Sequence, residues 1–102
     1  MSQPAGRRRE AYERLQSEIA REKAATLGRA GERLQAALDE AWALLARLEQ
    51  APPAERGGLL AAYRRARDRA VQARLTLIIQ REAIGLRQHR IVDQQFPEPP
   101  RR

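Results

Sequence analysis

The sequence predicts an all-α protein, a long antiparallel helical hairpin that dimerises into a four-helix bundle. Three observations predict this fold. The 102 residues are 42% hydrophobic and 32% charged with only 4% aromatic residues, a composition typical of long helices rather than of sheets. Apolar residues recur at helical spacing through most of the chain. One segment rich in proline and glycine divides this pattern into two parts.

The first helix is predicted over residues 9–50, after a disordered N-terminus at residues 1–8 that has no periodicity. Its apolar stripe thins near Lys23 and contains Gly28 and Gly31, each of which weakens a helix interior by ~1 kcal/mol. No proline or turn dipeptide accompanies these glycines, so a single helix of about 40 residues is favoured. The alternative is a three-helix bundle with a break near Gly28–Gly31.

A turn is predicted at residues 51–58, because two prolines cannot continue a helix and Gly57-Gly58 supplies flexibility. A connection this short favours antiparallel neighbours. The second helix is predicted over residues 59–93, and an extended, proline-rich tail over residues 94–102. In antiparallel register, small residues of one helix fall opposite large residues of the other, which allows dense packing. The opposed sets are Ala66, Ala70 and Ala73 against Trp42, Leu38 and Leu34, and Leu77 and Ile84 against Ala24, Leu27, Ala30 and Gly31. On this interpretation the glycines permit close approach of the helices.

A second apolar stripe on helix two predicts a partner interface. Its residues are Val71, Leu75, Ile78, Ile79 and Leu86. At ~100° per residue this stripe lies nearly opposite the one that faces helix one. Leaving it in water forgoes roughly 1.5–3 kcal/mol per large side chain. We therefore expect a second copy of the chain, or another protein partner, to cover it. The alternative is that helix one folds back over this face.

Four charged residues, Glu22, Lys23, Arg81 and Glu82, are predicted to meet between the helices. A buried cation without a partner costs several kcal/mol, so the carboxylates are expected to pair with the cations. Such an inter-helix polar cluster would fix the register of the hairpin. The alternative is a pocket for an anion or small ligand, for which a two-helix seam leaves little room.

The net charge of +7 makes nucleic acid a candidate partner. The predicted phosphate contacts are Arg65, Arg69, Arg87 and Arg90, which form a row on the remaining face of helix two. Such a row would give salt-dependent, sequence-independent binding. No aromatic residues are interleaved for base stacking, and a solvated arginine face is an equally good interpretation. Every cation except Lys23 is arginine, which could also reflect a GC-rich genome.

Composition restricts the chemistry. The chain has no cysteine and one histidine, so neither disulfides nor a metal site are expected. No Ser/His or Cys/His pair offers a nucleophile with its base. No apolar run approaches the ~20 residues of a membrane span. We expect a cytoplasmic protein without enzymatic activity, cofactor or membrane partner, which acts as an interaction or assembly module.

Two stretches resemble the motifs of a small bacterial family of helical proteins of unknown function. Glu18–Arg29 is similar to E-I-A-x-E-K-A-x-x-L-G-R, and Gln80–Arg87 is similar to Q-R-E-x-x-G-L-R. The resemblance covers about residues 18–97 and departs at Gln95–Pro99, where the family has a Tyr-Gly-Ile-Pro-like tail. It implies a short helical bacterial protein and brings no known activity.

Overall fold

The computed structural model describes residues 4–102 and contains three helices: α1 (Pro4–Gln50), α2 (Pro53–Ala83) and α3 (Arg90–Gln95). No strand occurs among these residues. The two long helices pack side by side as a hairpin, and α1 with its 47 residues spans roughly 70 Å. The folded chain measures 82 × 21 × 16 Å. The predicted all-α helical hairpin is therefore confirmed.

The helix α1 begins earlier than predicted and has no internal break. Residues 4–8, which were expected to be disordered, are helical; Met1–Gln3 of the same prediction lie outside the described residues. A proline is tolerated at a first helical position because the N–H that it lacks would be unpaired there. The helix passes through Gly28 and Gly31 without interruption, so the alternative bundle broken at these glycines is wrong. Burial of Ala30 and Leu34 beside them offsets the low helix propensity of glycine.

The turn between α1 and α2 is shorter than the predicted residues 51–58. Only Ala51 and Pro52 lie outside the two helices. Pro52 is extended (φ −66°, ψ 156°), and Pro53 is the first helical residue, a position that proline favours. Glu55 in the first turn complements the helix dipole. These start signals place Gly57 and Gly58 inside α2 rather than in a loop.

The helix α2 ends at Ala83 rather than at residue 93. Gly85 has a φ of +92°, a backbone conformation that is unfavourable for residues that carry a side chain. Its N–H donates to the carbonyl oxygen of Glu82 at 3.0 Å, and the N–H of Leu86 donates to that of Arg81 at 3.0 Å. This pair of hydrogen bonds is the Schellman motif, with which helices end at a glycine. The short helix α3 follows after the loop.

The core lies along the α1–α2 seam in two clusters. The first joins Ala30, Leu34 and Leu38 of α1 to Ala70 and Leu77 of α2 and to Val92 of α3. The second joins Ala41 and Leu45 of α1 to Tyr63 and Ala66 of α2. Alanines of α2 therefore share clusters with leucines of α1, as the antiparallel register predicts.

The glycines of α1 do not serve the approach of α2. A Cβ atom at Gly28 would have nothing within 4 Å, and one at Gly31 would meet the ring of Phe96 at 3.7 Å. Phe96 and Val92 hold α3 and its end against the first core cluster. Gly31 therefore faces the end of the chain, and the prediction that the two glycines bring the long helices together is wrong.

The segment Phe96–Arg102, which we call the tail, returns along the hairpin. It has no helical residues and runs between α1 and α2 towards the turn. Trp42 donates a hydrogen bond to Pro97 near the start of the tail, and Glu49 contacts Arg102 near its end. The predicted extended segment at residues 94–102 thus starts after Gln95 and packs on both long helices.

Candidate interaction surfaces

One candidate surface is the part of α1 that extends past the end of α2. Ile19 lines a shallow pocket with Ala83 and Ile84, where α2 stops. Every residue from Arg7 to Glu18 is exposed, and we call this segment the overhang. Tyr12 and Leu15 in it are 63% and 51% exposed. Because they continue the spacing of the buried stripe of α1, the overhang presents an apolar face that has no part of α2 opposite it.

The predicted partner interface remains largely open. Leu75 and Ile79 are 49% and 56% exposed, and Leu86 is also exposed; we call these three residues the apolar strip. Val71 and Ile78 are half-buried, and Val71 borders a depression that Arg101 of the tail also lines. Leu86 lies in the loop after α2, so the five residues do not form one helical stripe. Helix one does not fold back over this face, since α1 is continuous.

The predicted polar cluster is not assembled. Glu22 and Lys23 are exposed and line the shallow pocket at the end of α2 together with Gln80. None of the ion pairs among residues 4–102 joins Lys23 or Glu22 to Arg81 or Glu82. Because Lys23 is exposed to water, it needs no buried counter-charge. Nothing therefore requires the four predicted residues to pair between the helices.

Arg81 and Glu82 turn towards the loop that follows α2. The Arg81 guanidinium donates to the carbonyl oxygen of Gln88 at 2.9 Å and to Nδ1 of His89 at 3.3 Å. A carboxylate oxygen of Glu82 lies 3.8 Å from Nε2 of the same histidine. The Schellman turn causes this arrangement, because it folds the loop back against the last turn of α2. These residues therefore stabilise the end of the helix.

The predicted arginine row is interrupted. Arg65 and Arg69 lie on α2, but Arg69 is paired with Glu40 at 2.8 Å. Arg87 lies in the loop, and Arg90 is the first residue of α3. All four side chains are exposed, yet they do not follow one helix face. The prediction of a continuous row is wrong because it assumed that the second helix continues to residue 93.

A surface that the sequence did not predict is the groove between α1 and α2 that holds the tail. Four side chains donate hydrogen bonds to carbonyl oxygens of the tail. The pairs are Trp42 with Pro97 (3.3 Å), Arg67 with Pro99 (3.0 Å), Arg64 with Arg102 (2.9 Å), and Tyr63 with Pro100. Pro99 is buried among them. We call the surface formed by Trp42, Glu49, Tyr63, Arg64, Arg67 and Arg74 the tail groove.

Ion pairs fix the two ends of the tail. The carboxylate of Glu98 lies 3.6 Å from the guanidinium of Arg67 and 3.6 Å from that of Arg74. At the other end, the guanidinium of Arg102 lies 3.1 Å from a carboxylate oxygen of Glu49. The acidic residue of the tail is therefore held near α3 and the basic residue near the turn, which gives the groove a direction.

Tyr63 connects the tail groove to the core. Its side chain is completely buried, and burial raises the pKa of its phenol above the usual value of 10.0, against the opposing effect of Arg67 and Arg102. The neutral phenol is the form that donates to the Pro100 carbonyl oxygen. The hydrogen bond is therefore retained at neutral pH and lost only under strongly alkaline conditions.

Comparisons with known proteins identify no similar family, protein or structure. No protein-family model matches the chain, and neither curated proteins nor solved structures give a significant match. The resemblance to a helical bacterial family therefore stays a prediction. Among residues 4–102, no helix combines the length and apolarity required to cross a membrane. The same residues contain no group of three or more His, Asp or Glu side chains placed to hold a metal ion.

Sequence reasoning missed the tail groove because its residues are scattered. The sequence predicts that Trp42 packs against α2, and it assigns no part in a groove to Tyr63, Arg64 or Arg67. A signal was present in the tail, which combines three prolines with a charge of each sign. Proline-rich segments bind to grooves lined by aromatic residues, and a Trp and a Tyr were available on the two helices.

Proposed function

We propose that this protein is a non-enzymatic helical interaction module that acts by forming a homodimer. The observation that carries the proposal is the exposure of two apolar regions away from the Ala51–Pro52 turn, the overhang and the apolar strip. Tyr12, Leu15 and Ile79 are each more than half exposed there. Within this proposal the protein is cytoplasmic and uses no cofactor.

Half-exposed apolar side chains leave free energy available to a partner. Burying a whole Leu or Ile side chain gains roughly 1.5–3 kcal/mol relative to leaving it exposed. Because Leu15, Leu75 and Ile79 are about half exposed, a partner would recover on the order of 1 kcal/mol from each. Association costs ~4 kcal/mol or more in lost translational and rotational freedom. Several of these side chains on both copies must therefore be buried together.

The charges of the overhang favour a second copy of the chain as the partner. Residues 7–9 are all arginine, whereas Glu10, Glu13 and Glu18 outnumber the single Arg14 in the rest of the overhang. Two overhangs that pack antiparallel place the basic start of one beside the acidic end of the other. Each overhang then supplies the neighbouring helix that α2 is too short to provide. The two hairpins then join end to end, with the two overhangs packed side by side between them.

The mass in solution tests the proposal. For the chain of 11.6 kDa, light scattering should give twice the monomer mass at both low and high salt, because apolar burial is not screened by ions. Leu15→Glu and Ile79→Glu place a charge in the proposed contact and should each give a monomer. Ala61→Glu is the matched control, since Ala61 is exposed on α2 near the turn and shares a helix face with Ile79. This control should remain a dimer.

The outcomes separate the two parts of the surface. A folded monomer of the unmodified chain would contradict the proposal. If Ile79→Glu stays a dimer while Leu15→Glu becomes a monomer, the overhang alone forms the contact. Circular dichroism on each variant checks that loss of the dimer is not loss of the helices; the substituted side chains are exposed, so we expect full helicity.

Sequence-independent nucleic-acid binding is the alternative function. The net charge of +7 supports it, but of the predicted row only Arg65 and Arg69 share a helix, and Arg69 is engaged by Glu40. A mobility-shift assay with duplex DNA at low salt decides the question. Retardation that weakens with salt and is lost in Arg65→Glu would favour the alternative. No retardation at low salt would remove it.

A further inference from the structure

The tail groove has the chemistry of a receptor for proline-rich sequences. Its four hydrogen bonds all run from side chains of α1 and α2 to carbonyl oxygens of the tail. None of them uses an N–H group of the tail. Proline has a carbonyl oxygen but no N–H, so the prolines of the tail supply acceptors to this groove and carry no N–H of their own that would need a partner.

Proline also reduces the entropy that is lost when the segment docks. The ring fixes φ near −65°, so an extended segment with Pro97, Pro99 and Pro100 is partly ordered before it binds. Recognition of such segments elsewhere relies on aromatic residues that pack on the prolines and donate to their carbonyl groups. Trp42 and Tyr63 supply two such donors here, and Pro99 is buried in the groove.

The charges of the groove restrict which proline-rich sequences fit. Arg67 and Arg74 attract an acidic residue one position before the buried proline, where the tail has Glu98. Glu49 attracts a basic residue three positions after it, where the tail has Arg102. The preferred pattern is therefore Pro-Glu-Pro-Pro-x-Arg, read in one direction only.

We propose that the tail groove is a binding site for a Pro-Glu-Pro-Pro-x-Arg segment of another protein, and that the chain's own tail occupies it as an intramolecular ligand. Among residues 97–102 only Pro99 is buried, and Phe96 packs on the first core cluster, so residues 97–102 can detach while Phe96 keeps its place on the core. A segment presented by a partner then makes the same contacts. This site shares no residue with the overhang or the apolar strip, and it does not depend on homodimer formation.

Trp42 is the only tryptophan of the chain and reports directly on the groove. The test uses the full-length Pro99→Lys variant, in which a cation beside Arg67 dislodges the tail. Its tryptophan emission should shift to longer wavelength than that of the unmodified chain. Titration with the synthetic peptide Phe-Pro-Glu-Pro-Pro-Arg-Arg should restore the original emission with a saturable dependence on concentration. In the unmodified chain the tethered tail already occupies the groove at a high effective concentration, so the same peptide should leave its emission unchanged.

Two controls establish what the groove recognises. The peptide Phe-Pro-Glu-Lys-Pro-Arg-Arg, which has the same change as the variant chain, should not restore the emission. A Tyr63→Phe change in the Pro99→Lys chain removes the hydrogen bond to the Pro100 position and should weaken the peptide roughly fivefold, as expected for one neutral hydrogen bond. Both chains should keep their helical circular dichroism, since the changes lie at the tail and at one hydroxyl group.

Three results would overturn the proposal. The first is a Pro99→Lys chain that is helical but does not respond to the peptide at millimolar concentration. The second is equally tight binding of the control peptide, which would mean that the groove does not require a proline at the Pro99 position. The third is conversion of a dimer to a monomer by Pro99→Lys, which would mean that the groove holds the tail of a second copy.

Discussion

Gly85 supplies the left-handed conformation that terminates the second helix, and replacing it by alanine tests that explanation. A Cβ atom at Gly85 would have nothing within 4 Å, so no clash contributes to the effect. The cost comes from the φ of +92°, because a left-handed conformation costs an L-residue roughly 1–2 kcal/mol. Gly28 is the matched control, since a Cβ there also meets nothing but the backbone is helical. Alanine at Gly28 should stabilise the protein by ~0.5–1 kcal/mol.

The two substitutions share the same loss of freedom in the unfolded chain. The difference between their free energies of unfolding therefore isolates the backbone strain at residue 85. We expect this difference to be about 1–2 kcal/mol, with Gly85→Ala the less stable variant. Urea denaturation followed by circular dichroism measures this difference, with both variants at the same protein concentration because dimer formation would make stability depend on it. A Gly85→Ala chain as stable as Gly28→Ala would refute the assignment of a left-handed helix terminus.

Two further predictions concern the core and pH. Leu34→Ala, at a completely buried position, should lower the free energy of unfolding by about 2–5 kcal/mol. Leu15→Ala in the overhang should change the free energy of unfolding of the monomer by less than about 0.5 kcal/mol. Equal effects of the two changes would place Leu34 outside the core. Because burial raises the pKa of Tyr63 above 10.0, the folded chain keeps its phenolic proton to higher pH than the unfolded chain. Its contribution to stability is complete below about pH 10 and falls as the pH rises through the raised value. Melting temperatures measured from pH 8 to pH 12 should show this decline, and Tyr63→Phe should flatten it; an identical decline in the variant would contradict the argument.

The hairpin was predictable because its signals are periodic and repeated many times. The stripe of α1 and the run of alanines in α2 agree on one register, and Leu34, Leu38 and Ala70 share a cluster as that register requires. The end of α2 was not predictable in the same way. It depends on the backbone conformation of Gly85 alone, and a glycine within an apolar, helical pattern is compatible with either a helix interior or a terminus.

The surfaces were predicted only in part for the same reason. Leu75 and Ile79 lie before the end of α2, and their exposure follows from helical spacing. Arg87 and Arg90 lie after it, so the arginine row assumed a helix that has already ended. The tail groove depends on contacts between residues more than 30 positions apart, such as Trp42 with Pro97. Periodicity carries no information on such contacts.

The separation of these contacts along the chain has a consequence for the order of folding. The pair Glu40–Arg69 is 29 residues apart, and such pairs around the turn close short loops, which form early. The contacts of Trp42 with Pro97 and of Glu49 with Arg102 are 55 and 53 residues apart. The hairpin contacts are therefore expected to form before the tail docks. The tail groove is then open for a time during folding, and a partner segment that fits it meets the least competition in that interval.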